Sequence, residues 1–167
     1  MLLKTNKITL MAMLIALALI LSYLESQIPS FVAIPGVKVG LANIIVVFAL
    51  YLLGSREAVM LSAVRVFAVS LLFGSGVSFL YSLAGALLSL LGMILMKKLR
   101  LFSHVAVSVT GGVLHNVGQI GMACLLLETN VIIYYLPFLI LSGTIAGVVI
   151  GLISAALVRR FEGKIKY

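Results

Sequence analysis

Apolar residues run along this chain in about six blocks, separated by short polar or glycine-containing stretches. A helix needs roughly 20 apolar residues to cross the hydrocarbon core of a bilayer, which is about 30 Å thick. Blocks of this length joined by short loops are typical of helical membrane proteins. The pattern predicts six membrane-spanning helices, at about residues 8–28, 40–54, 57–73, 77–96, 103–127 and 131–158.

Composition supports the same interpretation. Hydrophobic residues make up 63% of the 167 and charged residues only 10%, which is more apolar surface than a soluble fold of this size would hide. The blocks fill the chain and leave no length for a soluble module. We therefore expect a single all-α transmembrane domain over residues 1–167, built as a six-helix bundle.

The basic residues predict how the bundle is oriented. Ten of the twelve Lys and Arg residues fall in the two terminal segments or in loops on one side, and only Lys38 falls in a loop on the other. This bias follows the positive-inside rule and places both termini in the cytoplasm, with the protein multi-pass in the membrane. Membrane topology therefore accounts for the net charge of +8, and a nucleic-acid partner is not needed to explain it.

Arg65 is the basic residue that lies inside a predicted span, about 12 Å from the inner end at the helical rise. A guanidinium at that depth costs about 2.5–3.5 kcal/mol on insertion scales, so it should face the bundle interior and find acceptors. The chain has no Asp, and its four Glu residues all lie near the ends of predicted spans. Two alternatives remain: Arg65 bonds to neutral groups of the bundle, or it binds the carboxylate or phosphate of an anionic ligand.

The fifth predicted span carries the densest polar face. His115 and Gln119 lie four residues apart on one stripe, with Asn116 beside them, and Asn43 opens the second span. These groups either hold helices together or line a pocket that opens outward. Tyr81 on the fourth span is a candidate wall of that pocket, with an aromatic belt as the alternative.

Two further features concern the surface of the bundle. The first outer loop, residues 29–40, is rich in Pro and Gly yet apolar for a solvated loop. Either it is an ordinary outer connection, or it folds back onto the bundle mouth and caps a pocket. In the first span, Ala12 and Ala16 form a flat A-x-x-x-A step, which seats a helix of another subunit or serves ordinary packing.

Catalytic groups are not apparent in the sequence. His104 and His115 are eleven residues apart and Cys124 is the single cysteine, so no metal-binding spacing is present. No nucleophile triad or phosphate-binding loop appears either. The sequence predicts a non-enzymatic protein without a metal or cofactor.

Two runs carry a resemblance to a known family over most of the chain. Ile34-Pro-Gly-Val-Lys38-Val-Gly-Leu-Ala-Asn43 and Gly111-Gly-Val-Leu-His115-Asn116-Val-Gly-Gln119 resemble the bacterial membrane family labelled Gx transporter or heptaprenyl diphosphate synthase component I. That family is in turn similar to the substrate-binding S components of energy-coupling-factor transporters, which are six-helix proteins of this size.

The resemblance implies a function. In S components an A-x-x-x-A face, matched here by Ala12 and Ala16, docks a membrane coupling subunit, the first outer loop covers the substrate pocket, and two cytoplasmic ATPases drive import. We expect capture from outside of a small vitamin-like or isoprenoid- or quinone-related molecule, with an anionic group as one option. The candidate binding residues are Lys38, Asn43, Arg65, Tyr81, His115, Asn116 and Gln119.

The alternative function is a noncatalytic accessory or scaffold subunit of an isoprenoid, quinone or redox complex. Prenyl synthases of the usual kind hold magnesium-diphosphate through aspartate-rich motifs, because clustered carboxylates are needed to bind the metal. This chain has no Asp. In that alternative the catalytic groups would belong to a partner, and the polar face would only lock helices together.

Overall fold

The computed structural model describes residues 2–27 and 40–163, with side chains from Lys7 onward, and this part of the chain is built from helices and short connections. The α-helices are α1 (Leu2–Gln27), α2 (Asn43–Leu52), α3 (Ser55–Phe73), α4 (Gly76–Leu99), α5 (His104–Leu127) and α6 (Leu136–Phe161). A short 3-10 helix, Val131–Tyr135, leads into α6. The all-helical prediction is confirmed for the described residues.

Among the described residues, four helical segments are long and apolar enough to cross a membrane, namely Lys7–Gln27, Gly76–Leu99, His104–Leu127 and Val131–Phe161. The chain is therefore a multi-pass membrane protein. The prediction of six crossings is met in part, because α2 has only 10 residues. Helix α3 has 19 residues, enough for about 28 Å, but it carries Arg56, Glu57 and Arg65.

Glycines explain why α2 is shorter than the predicted span over 40–54. Gly40 and Gly54 have positive φ values of 84° and 124°, a conformation that favours Gly and interrupts a helix. All six residues from 45 to 50 are buried, as expected of a helix that is hydrophobic on every side. At about 15 Å, α2 reaches roughly half-way through a hydrocarbon core. Its N-terminal residue, Asn43, lies about 14 Å along the helix axis from its last residue, Leu52.

Helix α5 packs so closely against both α4 and α6 that the helix backbones are in contact. A Cβ built on Gly112 would lie 2.5 Å from the carbonyl oxygen of Gly143, and one on Gly147 would lie 2.6 Å from Val109 Cα. On the other side, a Cβ on Gly118 would lie 2.6 Å from the carbonyl oxygen of Ala84. Small residues let helix backbones approach in this way where lipid provides no hydrophobic driving force between helices. The three helices thus form one tightly packed layer.

Helices α1 and α3 run parallel, and α2 returns the chain between them. Lys7 Nζ donates to Glu57 Oε1 at 2.5 Å near one end of this pair. Near the other end, the rings of Tyr23 and Phe73 have centroids 5.3 Å apart. Both contacts join residues 50 positions apart, so the two helices keep one register over this length. Helix α2 packs against α1, α3 and α6 and connects this pair to the layer of α4, α5 and α6.

The beginning of α1 and the end of α6 lie at the same end of the bundle. At that end the rings of Tyr51 and His104 have centroids 3.7 Å apart, and those of Phe48 and Phe161 6.0 Å apart. We call it the basic end, because most described cations lie there. Its basic residues are Lys7, Arg56, Lys97, Lys98, Arg100, Arg159 and Arg160. The opposite end, the far end, carries Glu25 and Glu128.

Substituting Gly147 with Ala should destabilise the protein by about 1–3 kcal/mol, because the new methyl group meets the backbone of Val109, which cannot move without shifting α5. The free energy of unfolding in mixed micelles measures the effect. Gly121→Ala is the matched control, since a Cβ there has nothing within 4 Å. Equal stability of the two variants would contradict the backbone packing of α5 and α6.

Candidate functional site

Arg65 lies near the middle of α3, about 15 Å from the start of the helix and 12 Å from its end. The side chain is half-buried, and its Nε is buried without a hydrogen-bond partner among the described residues. A guanidinium presents a rigid fork of donors, and a buried donor without an acceptor costs free energy. The structure thus leaves hydrogen-bonding capacity of Arg65 unused at mid-depth.

His115 lies on α5, which packs against α4 and α6. The imidazole is half-buried and packs against Gly85 of α4, where an added Cβ would lie 2.9 Å from both Cε1 and Nδ1 of His115. Gly85 therefore makes room for the imidazole between the helices. The positive charge of Arg65 is close enough to act on His115. Two polar residues that are 50 positions apart in the sequence are thus brought into one electrostatic environment.

Glu25 is a member of this group that the sequence reasoning missed. Its side chain is only 6% exposed although it lies near the end of α1, and it exerts an electrostatic attraction on Arg65. Glu25 Oε1 also accepts a hydrogen bond from the backbone N–H of Gly40, just before α2. The sequence offers no obvious carboxylate partner for Arg65, and Glu25 is an acidic residue whose charge acts on it. We refer to Arg65, His115 and Glu25 as the Arg65 group.

A signal for Glu25 was present in the first span. Leu14, Ala18, Ser22 and Glu25 follow at steps of four, four and three residues, and all four are buried. These steps place them on one face of a helix. A carboxylate on the inward face of a membrane helix needs a positive partner or hydrogen-bond donors. Position near a helix end was therefore a poor guide to whether Glu25 is buried.

Asn116 has a clear structural contact. It is buried, and its Nδ2 donates a hydrogen bond of 2.6 Å to the carbonyl oxygen of Leu139 on α6. A Cβ on Gly143 would lie 2.8 Å from the same nitrogen, so the close approach of α6 is part of this joint. The Asn116 amide thus bonds α5 to α6, and a role in substrate binding stays a prediction.

Asn43 lines a small cavity of about 10 Å³ between α2, α4, α5 and α6. Ser89 and Ser108 line it too, and the Ser108 hydroxyl is buried without a hydrogen-bond partner in residues 7–27 and 40–163. The cavity is no larger than needed for about one water molecule. Arg65 and His115 do not line it, although Gly40, which lies against Asn43, donates its backbone N–H to Glu25.

The remaining predicted residues fall into different surroundings. Gln119, one turn beyond His115, and Tyr81 of α4 are both half-buried. Ala12 and Ala16 are exposed on α1, so no described residue covers the face that they share. Lys38 and the outer loop before Gly40 lie outside the described residues. In the part that the structure describes, no three His, Cys, Asp or Glu side chains are grouped so that they could hold a metal ion.

Comparison with known proteins identifies one family. The model of the family described as heptaprenyl diphosphate synthase component I matches residues 14–157, which is most of the chain. The match includes the Arg65 group, α2 and the glycine-rich contacts of α5. No curated protein and no solved structure matches the chain. The family resemblance expected from the sequence is thereby confirmed.

Glu25 and Arg65 should be energetically coupled. In a double-mutant cycle of Glu25→Gln and Arg65→Gln, we expect a coupling energy of about 0.5–3 kcal/mol in the free energy of unfolding, because each single variant leaves a buried charge without its opposite. Glu128→Gln combined with Arg65→Gln is the control, since Glu128 is exposed after α5. Additive effects in the first cycle would show that the two charges do not interact.

Proposed function

The chain belongs to the heptaprenyl diphosphate synthase component I family, and we propose that it is a substrate-binding membrane subunit of the S-component type. It would capture a small molecule at the far end of the bundle and pass it inward with the help of partner subunits. In this proposal six helices traverse the membrane, the basic end faces the cytoplasm, and the bundle is one domain. The unequal charge of the two ends supports the orientation, because cytoplasmic segments carry the excess of Lys and Arg.

The observation that carries the proposal is the unused hydrogen-bonding capacity of Arg65 at mid-depth. A charged residue retained inside a membrane bundle marks a binding site or a polar pathway more often than a packing contact. His115 adds a second polar side chain from another helix, and Gln119 follows one turn later on its stripe. Together they favour a ligand with a carboxylate or phosphate, because the guanidinium fork binds such groups bidentately.

Glu25 sets a condition on that ligand. The carboxylate attracts Arg65 in the structure described here, so an anionic ligand has to compete with it. The ligand binds more strongly than Glu25 when it offers Arg65 two acceptor oxygens. Glu25 then keeps the hydrogen bond that it accepts from the backbone N–H of Gly40. We therefore propose an amphipathic molecule with one compact anionic group, of the vitamin-like or isoprenoid- or quinone-related kind.

The exposed face of α1 supports docking to a membrane coupling subunit. Ile8, Ala12, Ala16 and Ile20 recur at four-residue steps and are all exposed, whereas Leu14 on the other side is buried. The two alanines make the middle of this stripe flat, which allows close approach of a partner helix. The chain contains no phosphate-binding loop, so ATP hydrolysis would be the task of two ATPases bound to the coupling subunit.

A second candidate function is favoured by the family description. As a noncatalytic component of a prenyl diphosphate synthase or a related quinone or redox complex, the chain would anchor a catalytic partner to the membrane. With no Asp in the sequence, a magnesium-diphosphate site of the aspartate-rich kind would have to come from that partner. The polar face of α5 would then serve only to lock helices together.

Arg65→Ala and Gln119→Ala should each reduce the small molecule retained by the protein, the Arg65 variant by at least about tenfold, because a charge-assisted hydrogen bond is lost. Native mass spectrometry of the full chain, purified gently from its own membranes, measures the retained mass. Arg56→Ala, which removes an exposed cation at the basic end, is the control. A folded Arg65 variant that retains as much as the parent would exclude this site.

Ala12→Trp and Ala16→Trp should prevent co-purification of a coupling subunit and its ATPases while leaving the chain folded, because the bulky ring lies on an exposed face. Ala156→Trp, on an exposed face of α6, is the matched control. Affinity purification followed by identification of the bound subunits measures assembly. Recovery of a prenyl synthase or redox complex in place of ATPases would favour the second function.

A further inference from the structure

A groove on the lipid-facing surface between α4 and α5 is separate from the Arg65 group. Its volume is about 400 Å³, and its walls are leucine and isoleucine side chains of α4, with Leu114 of α5 opposite. Lys98 is the one charged residue that lines it. The groove is open outward, because Leu91 and Leu95 on its rim are 65% and 61% exposed.

Gly92 creates the depression. A Cβ built at this position would lie 2.1 Å from Cδ1 of Leu114, so the side chain of Leu114 occupies the space that any larger residue would take. Leu114 thereby lies against the α4 backbone instead of projecting outward between the helices. A larger residue at position 92 would push Leu114 into the groove and fill it.

The dimensions of the groove match one leaflet of a bilayer. From Leu88 to Lys98 the helix rises by about 15 Å, which is half of a hydrocarbon core. Lys98 lies in the last turn of α4 at the basic end, where headgroups begin. The neighbouring Lys97 turns to the protein, since its Nζ donates to the carbonyl oxygen of Leu50 and lies over the ring of Tyr51. Lys98, by contrast, is exposed at the mouth of the groove.

We propose that this groove binds an acyl chain of an anionic phospholipid from the leaflet at the basic end, with the headgroup phosphate held by Lys98. The apolar walls require a hydrocarbon, and their length fits the chain of one leaflet. Lys98, the one cation of the groove, lies at the depth of the lipid phosphates. Basic pockets between membrane helices on the cytoplasmic side of a bilayer bind anionic headgroups. The inference does not depend on the proposed transport function, because neither Arg65 nor the α1 face takes part.

The test uses the full chain in detergent micelles, titrated with phosphatidylglycerol or with phosphatidylcholine of the same acyl composition, and native mass spectrometry counts the bound lipids. We expect the parent protein to retain phosphatidylglycerol about fivefold more strongly than phosphatidylcholine, as one Lys near a headgroup provides. Lys98→Gln should abolish this preference. Gly92→Leu should reduce retention of both lipids, because Leu114 then fills the groove.

Two controls separate the groove from general charge and stability. Arg100→Gln removes one exposed cation next to the groove but outside its lining, and Gly121→Leu adds the same side chain at an open position of α5. Neither should change lipid retention. The proposal is overturned if Arg100→Gln and Lys98→Gln act alike, or if the parent retains both lipids equally. It also fails if farnesyl diphosphate displaces phosphatidylglycerol at equal concentration, because the groove would then serve a prenyl diphosphate.

Lys98→Gln keeps the test decisive if Gly92→Leu does not fold. Lys98 is exposed and donates no hydrogen bond to a described residue, so its replacement should leave the unfolding temperature unchanged. Loss of the phosphatidylglycerol preference at unchanged stability supports the groove. An unchanged preference contradicts it.

Discussion

The structure depends on the contact of the α5 backbone with the backbones of α4 and α6. Helices in lipid gain little from burying apolar side chains against one another, so close packing and interhelical hydrogen bonds must hold them together. Gly112, Gly118 and Gly147 permit that contact, and the Asn116 bond to Leu139 adds to it. Because α5 is fixed in this way, His115 is held at a defined position against Gly85 of α4. The glycine contacts therefore position a polar residue without touching it.

The helical membrane architecture could be read from the apolar blocks, since length and hydropathy determine which segments suit a bilayer. In the described part of the chain, four of these segments meet the criteria of length and hydropathy for crossing a membrane. The start of α2 was harder to predict, because Leu41 and Ala42 continue the apolar pattern although the regular helix begins only at Asn43. Only the positive φ of Gly40 marks the break, and a glycine in a sequence permits such a conformation without requiring it.

The candidate site, like α2, could be predicted from the sequence only in part. Arg65 stood out from the sequence because a charge inside an apolar helix is costly whatever surrounds it. Glu25 did not, since a carboxylate three residues from the end of its predicted span is ordinary unless its direction is known. Asn43 and Asn116 have suitable chemistry but face a separate cavity and a helix joint, respectively. Residue type and depth identify polar groups, whereas their assembly depends on how the helices are rotated.

The common register of α1 and α3 has a consequence for how the family can vary in length. Lys7 with Glu57 and Tyr23 with Phe73 are two contacts at opposite ends of the pair, each spanning 50 positions. An insertion or deletion inside either helix would move one contact by a residue, about 100° around the helix, and break it. A change between the two helices leaves both contacts intact. Relatives that keep these pairs should therefore differ in length in the segment between Tyr23 and Glu57, and hardly at all within the helical stretches that the two contacts enclose.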